Sequence, residues 1–291
     1  MSNLQTADIG LGQTILRRAA ISPEKPALTF EGVTQSFAEL GDRVRRMAAL
    51  LRAGGVSAGD RVGYIGLNHP VFLEMLYACG CLGAVFVPLN FRLTGPEMRF
   101  IANDAGISVM VADSMLRPLV DSERDSLQCS RYITAEADAD NWEPLEPLMA
   151  AATPIEASEK VDGDDVAFIM YTSGTTGLPK GAMLTHGNVF WNSINVCFGE
   201  DGLSGTTLTC APLFHIGGLN VTTLLSLGKG VEVVLLRSFD AGEVLSLIEK
   251  HSVTTMFGAP TMFLMMVQDE SFATRDLSSI VTLTCGGAPV P

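Results

Sequence analysis

The sequence predicts an α/β protein whose sheets are mostly parallel and covered by helices on both faces. Three observations carry that prediction. Helical and strand-like apolar patterns alternate along the chain, in the rhythm that builds βαβ units. At 291 residues the chain is longer than a single core usually serves, which predicts two packed sub-domains. Its 47% hydrophobic and 18% charged residues are those of a folded globular chain rather than a disordered one.

The elements follow in order. Ser36–Ala53 carries Leu40, Val44, Met47, Leu50 and Leu51 at helical spacing, with Arg43, Arg45 and Arg46 off that stripe, and Gly54-Gly55 ends it. Arg61–Gly66 reads as strand, Pro70–Leu82 as helix and Ala84–Val87 as strand. Thr94 with Glu97 three residues on is a capping-box signature for a helix ending near Gly106, and Ser108–Val111 is again strand. Residues 121–165 contain 13 Asp/Glu against 3 Lys/Arg, with Pro144, Pro147 and Pro154. They read as a solvated acidic connector holding a short helix or two, not as a metal site. The rhythm then resumes: strands at Val166–Tyr171 and Gly181–Thr185, helix Asn188–Cys197, strand Thr207–Cys210 and helix Gly218–Leu227. Strand Glu232–Leu236, helix Ala241–His251, strand Thr254–Phe257, helix Pro260–Gln268 and strand Ile280–Thr284 complete it. Pro260 takes a first-turn position that proline tolerates. The expected parts are therefore residues 10–120, the connector 121–165, and residues 166–291.

The net charge of −13 argues against nucleic acid and anionic headgroups as partners. Met1–Gly10 is polar, without the apolar core of a signal peptide. The apolar stretch Val71–Leu89 contains Glu74, Gly80, Gly83 and Pro88 and splits into a buried helix and strand rather than a membrane span. The 6 cysteines lack zinc-site spacing and read as reduced core thiols of a cytoplasmic protein.

The most distinctive stretch is Tyr171-Thr-Ser-Gly-Thr-Thr-Gly-Leu-Pro-Lys180-Gly181. Thr172, Ser173, Thr175 and Thr176 offer hydroxyls, Gly174 and Gly177 permit close approach, and Lys180 adds a point charge, which together suit a polyphosphate. A flexible linker is the bland alternative, but strand-like runs bracket the loop tightly. It is not a Walker A loop, because Lys180 follows Pro179 and the chain continues as strand instead of entering a helix. The loop is expected to join two strands as a hairpin. The turns after Tyr171, Cys210, Gly258 and Thr284 all leave carboxyl ends of strands, the edge where parallel sheets bind ligands.

These residues resemble the signature of the adenylate-forming (AMP-binding) superfamily of acyl- and aryl-CoA synthetases, adenylation domains and luciferases. Further resemblance follows at Ala211-Pro-Leu-Phe-His215-Ile-Gly-Gly218, Gly258-Ala-Pro-Thr-Met262 and Thr284-Cys-Gly-Gly-Ala-Pro289, and earlier at Gly59-Asp-Arg-Val62 and Leu82–Asn90. It covers the chain from about Thr14 to Pro291 and implies two stacked αβαβα sub-domains, an incomplete N-terminal domain of an acyl-CoA synthetase.

The implied reaction is attack of a carboxylate on ATP to give acyl-AMP and pyrophosphate, then transfer to coenzyme A. Cofactors implied are ATP, Mg2+ and coenzyme A. The resemblance places Thr172–Gly177 and Lys180 on the phosphates, Thr176 on the metal, and Gly286, Gly287, Ala288 and Pro289 against adenine. His215 and Lys180 take the catalytic roles; His215, Gly217 and Val221 line the acid site; Arg237 is a candidate for the phosphates of coenzyme A. Amino-acid-activating relatives carry Asp where His215 stands, so an acid without an α-amine is expected. Gly217-Gly218 would leave the acid site open, and with Met262, Met265 and Met266 they suggest an elongated channel, although core packing explains the methionines equally well. A medium- or long-chain fatty acid is the first expectation, with an aryl or other acid, or a non-catalytic nucleotide-binding fragment, as alternatives. Peripheral membrane contact and homodimerisation stay open. His186 is expected to be structural at a helix start, and His69 and His251 to lie at the surface or at helix ends. The family's later motifs, hinge and catalytic-lysine domain are not among these residues, so residues 1–291 alone are expected not to synthesise acyl-CoA.

Overall fold

The computed structural model describes residues 9–136, 140–172, 177–199 and 204–289. Helix α1 (Leu11–Ile21) leads into a hairpin of β1 (Pro26–Phe30) and β2 (Val33–Ser36). Then come α2 (Phe37–Ala53), β3 (Arg61–Ile65), α3 (Pro70–Leu82), β4 (Val85–Leu89), α4 (Gly95–Ala105) and β5 (Ile107–Ala112). The acidic region holds α5 (Arg117–Glu123), a 3-10 turn, β6 (Arg131–Thr134), β7 (Glu143–Pro144) and α6 (Leu145–Ala151). Next are β8 (Val166–Thr172), β9 (Lys180–Thr185), α7 (His186–Gly199) and β10 (Thr206–Thr209). A helix in three pieces follows: α8 (Ile216–Gly218), a π turn (Leu219–Thr223) and α9 (Leu224–Lys229). The described chain closes with β11 (Glu232–Leu235), α10 (Ala241–His251), β12 (Thr255–Gly258), α11 (Pro260–Gln268) and β13 (Thr282–Cys285).

Two sheets result, of order β13-β12-β10-β11-β1-β2 and β7-β6-β5-β3-β4-β8-β9. Every pairing is parallel except β1–β2 and β8–β9, the antiparallel hairpins that end each sheet. The α/β class and the dominance of parallel pairing agree with the sequence. The assignment of segments to sheets is different. β1 and β2, from the first part of the chain, join the sheet built by β10–β13. β8 and β9, which flank the hydroxyl- and glycine-rich stretch, join the sheet built by β3–β7. Residues 121–165 are more than a connector, since β6 and β7 extend that second sheet.

Local chemistry explains the elements. Ser36 caps α2 in a reciprocal box with Glu39, and at the start of α4 the Glu97 carboxylate accepts from both the amide and the hydroxyl of Thr94 at 2.8 Å. Helix α3 is buried on all sides, with His69 at its N-cap, Pro70 in its first turn and Gly83 at φ 65° closing it. Its Glu74 is buried and bonded by Arg43 of α2 at 3.0 Å, so Arg43 points inward rather than off the apolar stripe. A buried carboxylate is tolerated when an opposite charge and good geometry satisfy it. Helix α1 is not among the elements the sequence predicts, because its buried face mixes small residues with large ones, Leu11, Gly12, Ile15 and Ala19; it crosses α3 with Gly12 pressed on Cys81. Cys79, Cys81 and Cys210 are buried as expected, but Cys129 and Cys197 are half-buried and Cys285 is exposed. Among the described residues, no helix is long and apolar enough to cross a membrane.

Candidate functional site

The hairpin expected from the sequence is present: β8 and β9 pair antiparallel, with Thr172 opposite Lys180. Its base is fixed by Tyr171, whose hydroxyl donates to Asp104 of α4 at 2.6 Å. Burial, then that carboxylate, pushes the phenol above its ordinary pKa, so Tyr171 is a clamp rather than a base. Ser173, Gly174, Thr175 and Thr176 lie outside the described residues. On either side of them Thr172 and Lys180 are exposed, and Gly177, at φ +97°, has no atom within 4 Å of where a Cβ would stand. Lys180 has no ion-pair partner among the described residues, so its ammonium is available to an anion. After β9, Thr185 and Asn188 exchange backbone–side-chain bonds of 3.0 and 3.1 Å that start α7. His186 is buried, its Nδ1 accepting from the Leu11 amide at 3.2 Å, which supports the structural role expected of it.

The loop after β10 carries His215. The imidazole is exposed and caps α8, Nδ1 accepting from Gly217 N–H at 3.3 Å. The neighbouring Phe214 stacks edge-on against Phe91 at 5.5 Å, in the loop after β4. Because β4 pairs with β8, this contact brings the His215 loop to the strand next to the β8–β9 hairpin. The π turn that follows is stitched in place: Thr223 donates to Gly218 O at 2.7 Å and Asn192 of α7 to Asn220 O at 2.9 Å. Such turns break the regular helix ladder and are frequent at functional sites.

Gly217 and Gly218 do not leave open space. A Cβ on Gly217 would come within 2.7 Å of the Phe257 ring, and one on Gly218 would strike the Pro212 carbonyl. The same Phe257 ring lies 3.4 Å from the Cβ position of Gly286, and Gly286 N–H donates to Gly258 O at 3.2 Å. Phe257, at the end of β12, therefore sits between the His215 loop and the loop after β13. In that loop Gly287 has φ +85° and is exposed with Ala288 and Pro289. Val221 is half-buried and packs into the core cluster of β10, α10, β12 and α11. Met262 and Met266 belong to that cluster, whereas Met265 is exposed. A separate apolar cavity of about 480 Å³ lies between α10, α11 and β13, lined by Met266 but by neither His215 nor Val221.

Arg237 has other partners than a ligand. It donates to Glu31 at 2.7 Å and Glu136 at 3.0 Å and lies over the Phe30 ring. Burial opposes its charge, but the two carboxylates raise its pKa. With both carboxylates in place, the guanidinium ties the β1–β2 turn to the end of β6 and is not free for coenzyme A phosphates.

Sequence reasoning missed Asn68. It is 5% exposed and donates through Nδ2 to Ala211 O at 3.1 Å and Leu236 O at 3.0 Å. Its Oδ1 accepts from Leu213 N–H at 2.8 Å, and its own amide donates to Arg237 O at 3.2 Å. The Asn-His-Pro run before α3 signals a helix cap but nothing about these distant partners.

Loops after β3, β4 and β10 thus meet at the carboxyl ends of the two sheets, and Phe257 links the β10 loop to the one after β13. Beside them, a hydroxyl- and glycine-rich hairpin ends in an exposed lysine. The fold is thus a mixed α/β domain of two mostly parallel sheets with these loops gathered at their carboxyl edges. The model of the AMP-binding enzyme family matches residues 15–291, and the chain belongs to that family. It is 45% identical to a feruloyl-CoA synthase of Amycolatopsis sp over 283 residues, 97% of this chain and 55% of that protein. It is 34% identical to the long-chain-fatty-acid–CoA ligase FadD13 of Mycobacterium tuberculosis, covering 97% of this chain and 56% of that one. The inhibitor-bound N-terminal domain of FACL13 from Mycobacterium tuberculosis superposes with a TM-score of 0.89 at 32% identity, over 97% of this chain and 71% of the other. The chain spans about half the length of the curated relatives it matches.

Proposed function

We propose that this chain is the acid- and nucleotide-holding part of an ATP-dependent acid–thiol ligase. Its substrate would be a carboxylic acid without an α-amine, joined to coenzyme A through an acyl-adenylate. The observation that carries the reading is the β8–β9 hairpin ending in exposed Lys180, beside a loop that presents His215 with no carboxylate next to it. In the adenylation step a substrate carboxylate oxygen bonds to the α-phosphorus while the bond to the β-phosphate oxygen breaks and pyrophosphate leaves. The protein's contribution to such a step is positioning and charge stabilisation. Lys180 would offset phosphate charge, His215 would lie by the carboxylate, and Gly286–Pro289 would lie against the adenine. Among the described residues no group of three or more His, Cys, Asp or Glu could hold a metal ion. Hydroxyls alone suit an ion that arrives on the triphosphate, with Thr176 as its candidate protein ligand; bound there, magnesium would neutralise phosphate charge. A cytoplasmic setting belongs to the same reading, in line with the six free thiols.

An aromatic acid takes first place over the fatty acid expected from the sequence. The 45% identity to a feruloyl-CoA synthase supports it, and so does the Phe257 ring filling the space beside Gly217. The fatty-acid reading keeps the support of FadD13. The deciding experiment is ATP–pyrophosphate exchange by the longest natural polypeptide carrying this sequence. An aryl-propenoic acid should drive exchange more efficiently than C8–C18 fatty acids; the reverse order would return the fatty acid to first place, and no exchange with any acid would sink the ligase reading. Calorimetry on residues 1–291 tests the hairpin: Lys180→Ala should weaken MgATP binding by about tenfold, the scale of one charge-assisted hydrogen bond. An unchanged affinity would remove Lys180 from the nucleotide site.

A further inference from the structure

We infer that Asn68 is a positioning residue for the acid-activating step, acting through the loop that carries His215. The inference rests on the reading of that loop given above and adds to it a residue from the other sheet.

Asn68 stands in the turn between β3 and α3. That turn is held from behind: Asp113, after β5, accepts from Leu67 N–H at 2.8 Å and from Leu116 N–H at 2.9 Å, and Tyr64 donates to Leu67 O at 3.2 Å. From this base the Asn68 side chain reaches the ends of two strands of the opposite sheet. It bonds Ala211 O and Leu213 N–H in the loop after β10, and Leu236 O after β11. Those groups follow the last ladder pair of β10 with β11, Thr209 with Leu235. They point beyond the sheet, where no neighbouring strand satisfies them.

The side chain therefore replaces strand pairing at the point where β10 and β11 separate. Buried carbonyls and amides require such partners. Only an amide offers two donors and an acceptor on one short stem, so neither Asp nor Ala can replace it. Two residues past Leu213 stands His215, whose own amide bonds back to Pro212 O at 3.1 Å. The loop is fixed at Ala211 and Leu213 by Asn68 and closes on itself at His215, so the imidazole's place is set from the β3–α3 turn. The hairpin of β8 and β9 makes no bond to Asn68 among the described residues.

The test uses ATP–pyrophosphate exchange by the longest natural polypeptide carrying the sequence, with rates normalised to MgATP-binding protein. Asn68→Ala should lower kcat by about 100-fold, as misplacement of a reacting group by an ångström does, with the KM for ATP within twofold of the parent. Asn68→Asp supplies a readout that loss of folding does not mimic. Its carboxylate would face two carbonyls, whereas its protonated form can donate to one of them and still accept from Leu213 N–H. Its kcat relative to the parent should therefore rise as pH falls, while the Asn68→Ala ratio stays flat. In a cycle with His215→Ala, the double variant should be no slower than His215→Ala alone. Additive losses, or a pH-independent Asn68→Asp ratio, overturn the inference and leave the site reading intact. If His215→Ala exchanges at the parent rate, the site reading falls and the inference with it. If Asn68→Ala does not fold, Asn68→Asp carries the same decision.

Discussion

His69 shows how one side chain records its surroundings. It caps α3, its Nδ1 accepting from Val71 N–H at 3.2 Å, and its ring meets Phe30 edge-on at 5.1 Å. Burial first, then Arg237 and Arg43, push the imidazole down to about 4 against the opposite pull of Glu136 and Glu31. The unfolded chain takes up a proton near pH 6.5 that the folded protein refuses until about pH 4. The contribution is thus complete above pH 6.5 and is lost as pH falls through that window, by at most about 3 kcal/mol. Asn caps helices as well but does not titrate. Urea unfolding of His69→Asn should therefore show a shallower loss of stability between pH 6.5 and pH 4 than the parent; parallel profiles would mean that the folded protein binds the proton as readily as the unfolded chain.

At the scale of elements, the crossing of α1 and α3 is decided by two glycines. A Cβ on Gly12 would lie 2.7 Å from Cys81 Cα, and one on Gly80 would lie 2.8 Å from Gly12 N. Alanine is the better helix former by about 1 kcal/mol, so on an exposed face Gly12→Ala would stabilise. Here the two backbones must move apart, and overpacking should win, at a cost of about 1–3 kcal/mol. Equilibrium urea denaturation measures the sign directly. A neutral or stabilised Gly12→Ala would show that α1 yields without loss and does not grip α3.

For the whole molecule, the interleaving of the sheets has a direct consequence. Residues 26–36 supply β1 and β2 to a sheet otherwise made from residues 206–285, and residues 166–185 supply β8 and β9 to one made from residues 61–144. Each sheet thus draws an edge hairpin from the other half of the chain. Asn68, and Arg237 with Glu31 and Glu136, cross the same boundary. Residues 1–162 and 166–291, expressed apart, should each lack a cooperative thermal transition, while coexpression should recover one. A cooperative transition from either half alone would restore the division of the chain at its acidic middle.

Much of this was legible in the chain. Helix boundaries at Pro70–Leu82, Ala241–His251 and Pro260–Gln268 are those the sequence predicts, because prolines, glycines and caps act on their nearest neighbours. The hairpin from Thr172 to Lys180 was legible for the same reason: a proline before the lysine bars a helix, and strand patterns stand on both sides. Its hydroxyls and glycines suit a polyphosphate, and the acid without an α-amine was implied by the resemblance of the His215 motif. What tertiary structure alone decided are relations between residues far apart. The Asn68 bond to Ala211 spans 143 positions, and no local periodicity encodes such a partner. The carboxylates that occupy Arg237, the Phe257 ring that fills the space beside Gly217, and the exchange of hairpins between sheets are of that kind. Local patterns set the type of each element through short-range sterics and hydrogen bonding. Strand order and the meeting of loops follow from burying the faces of all those elements at once.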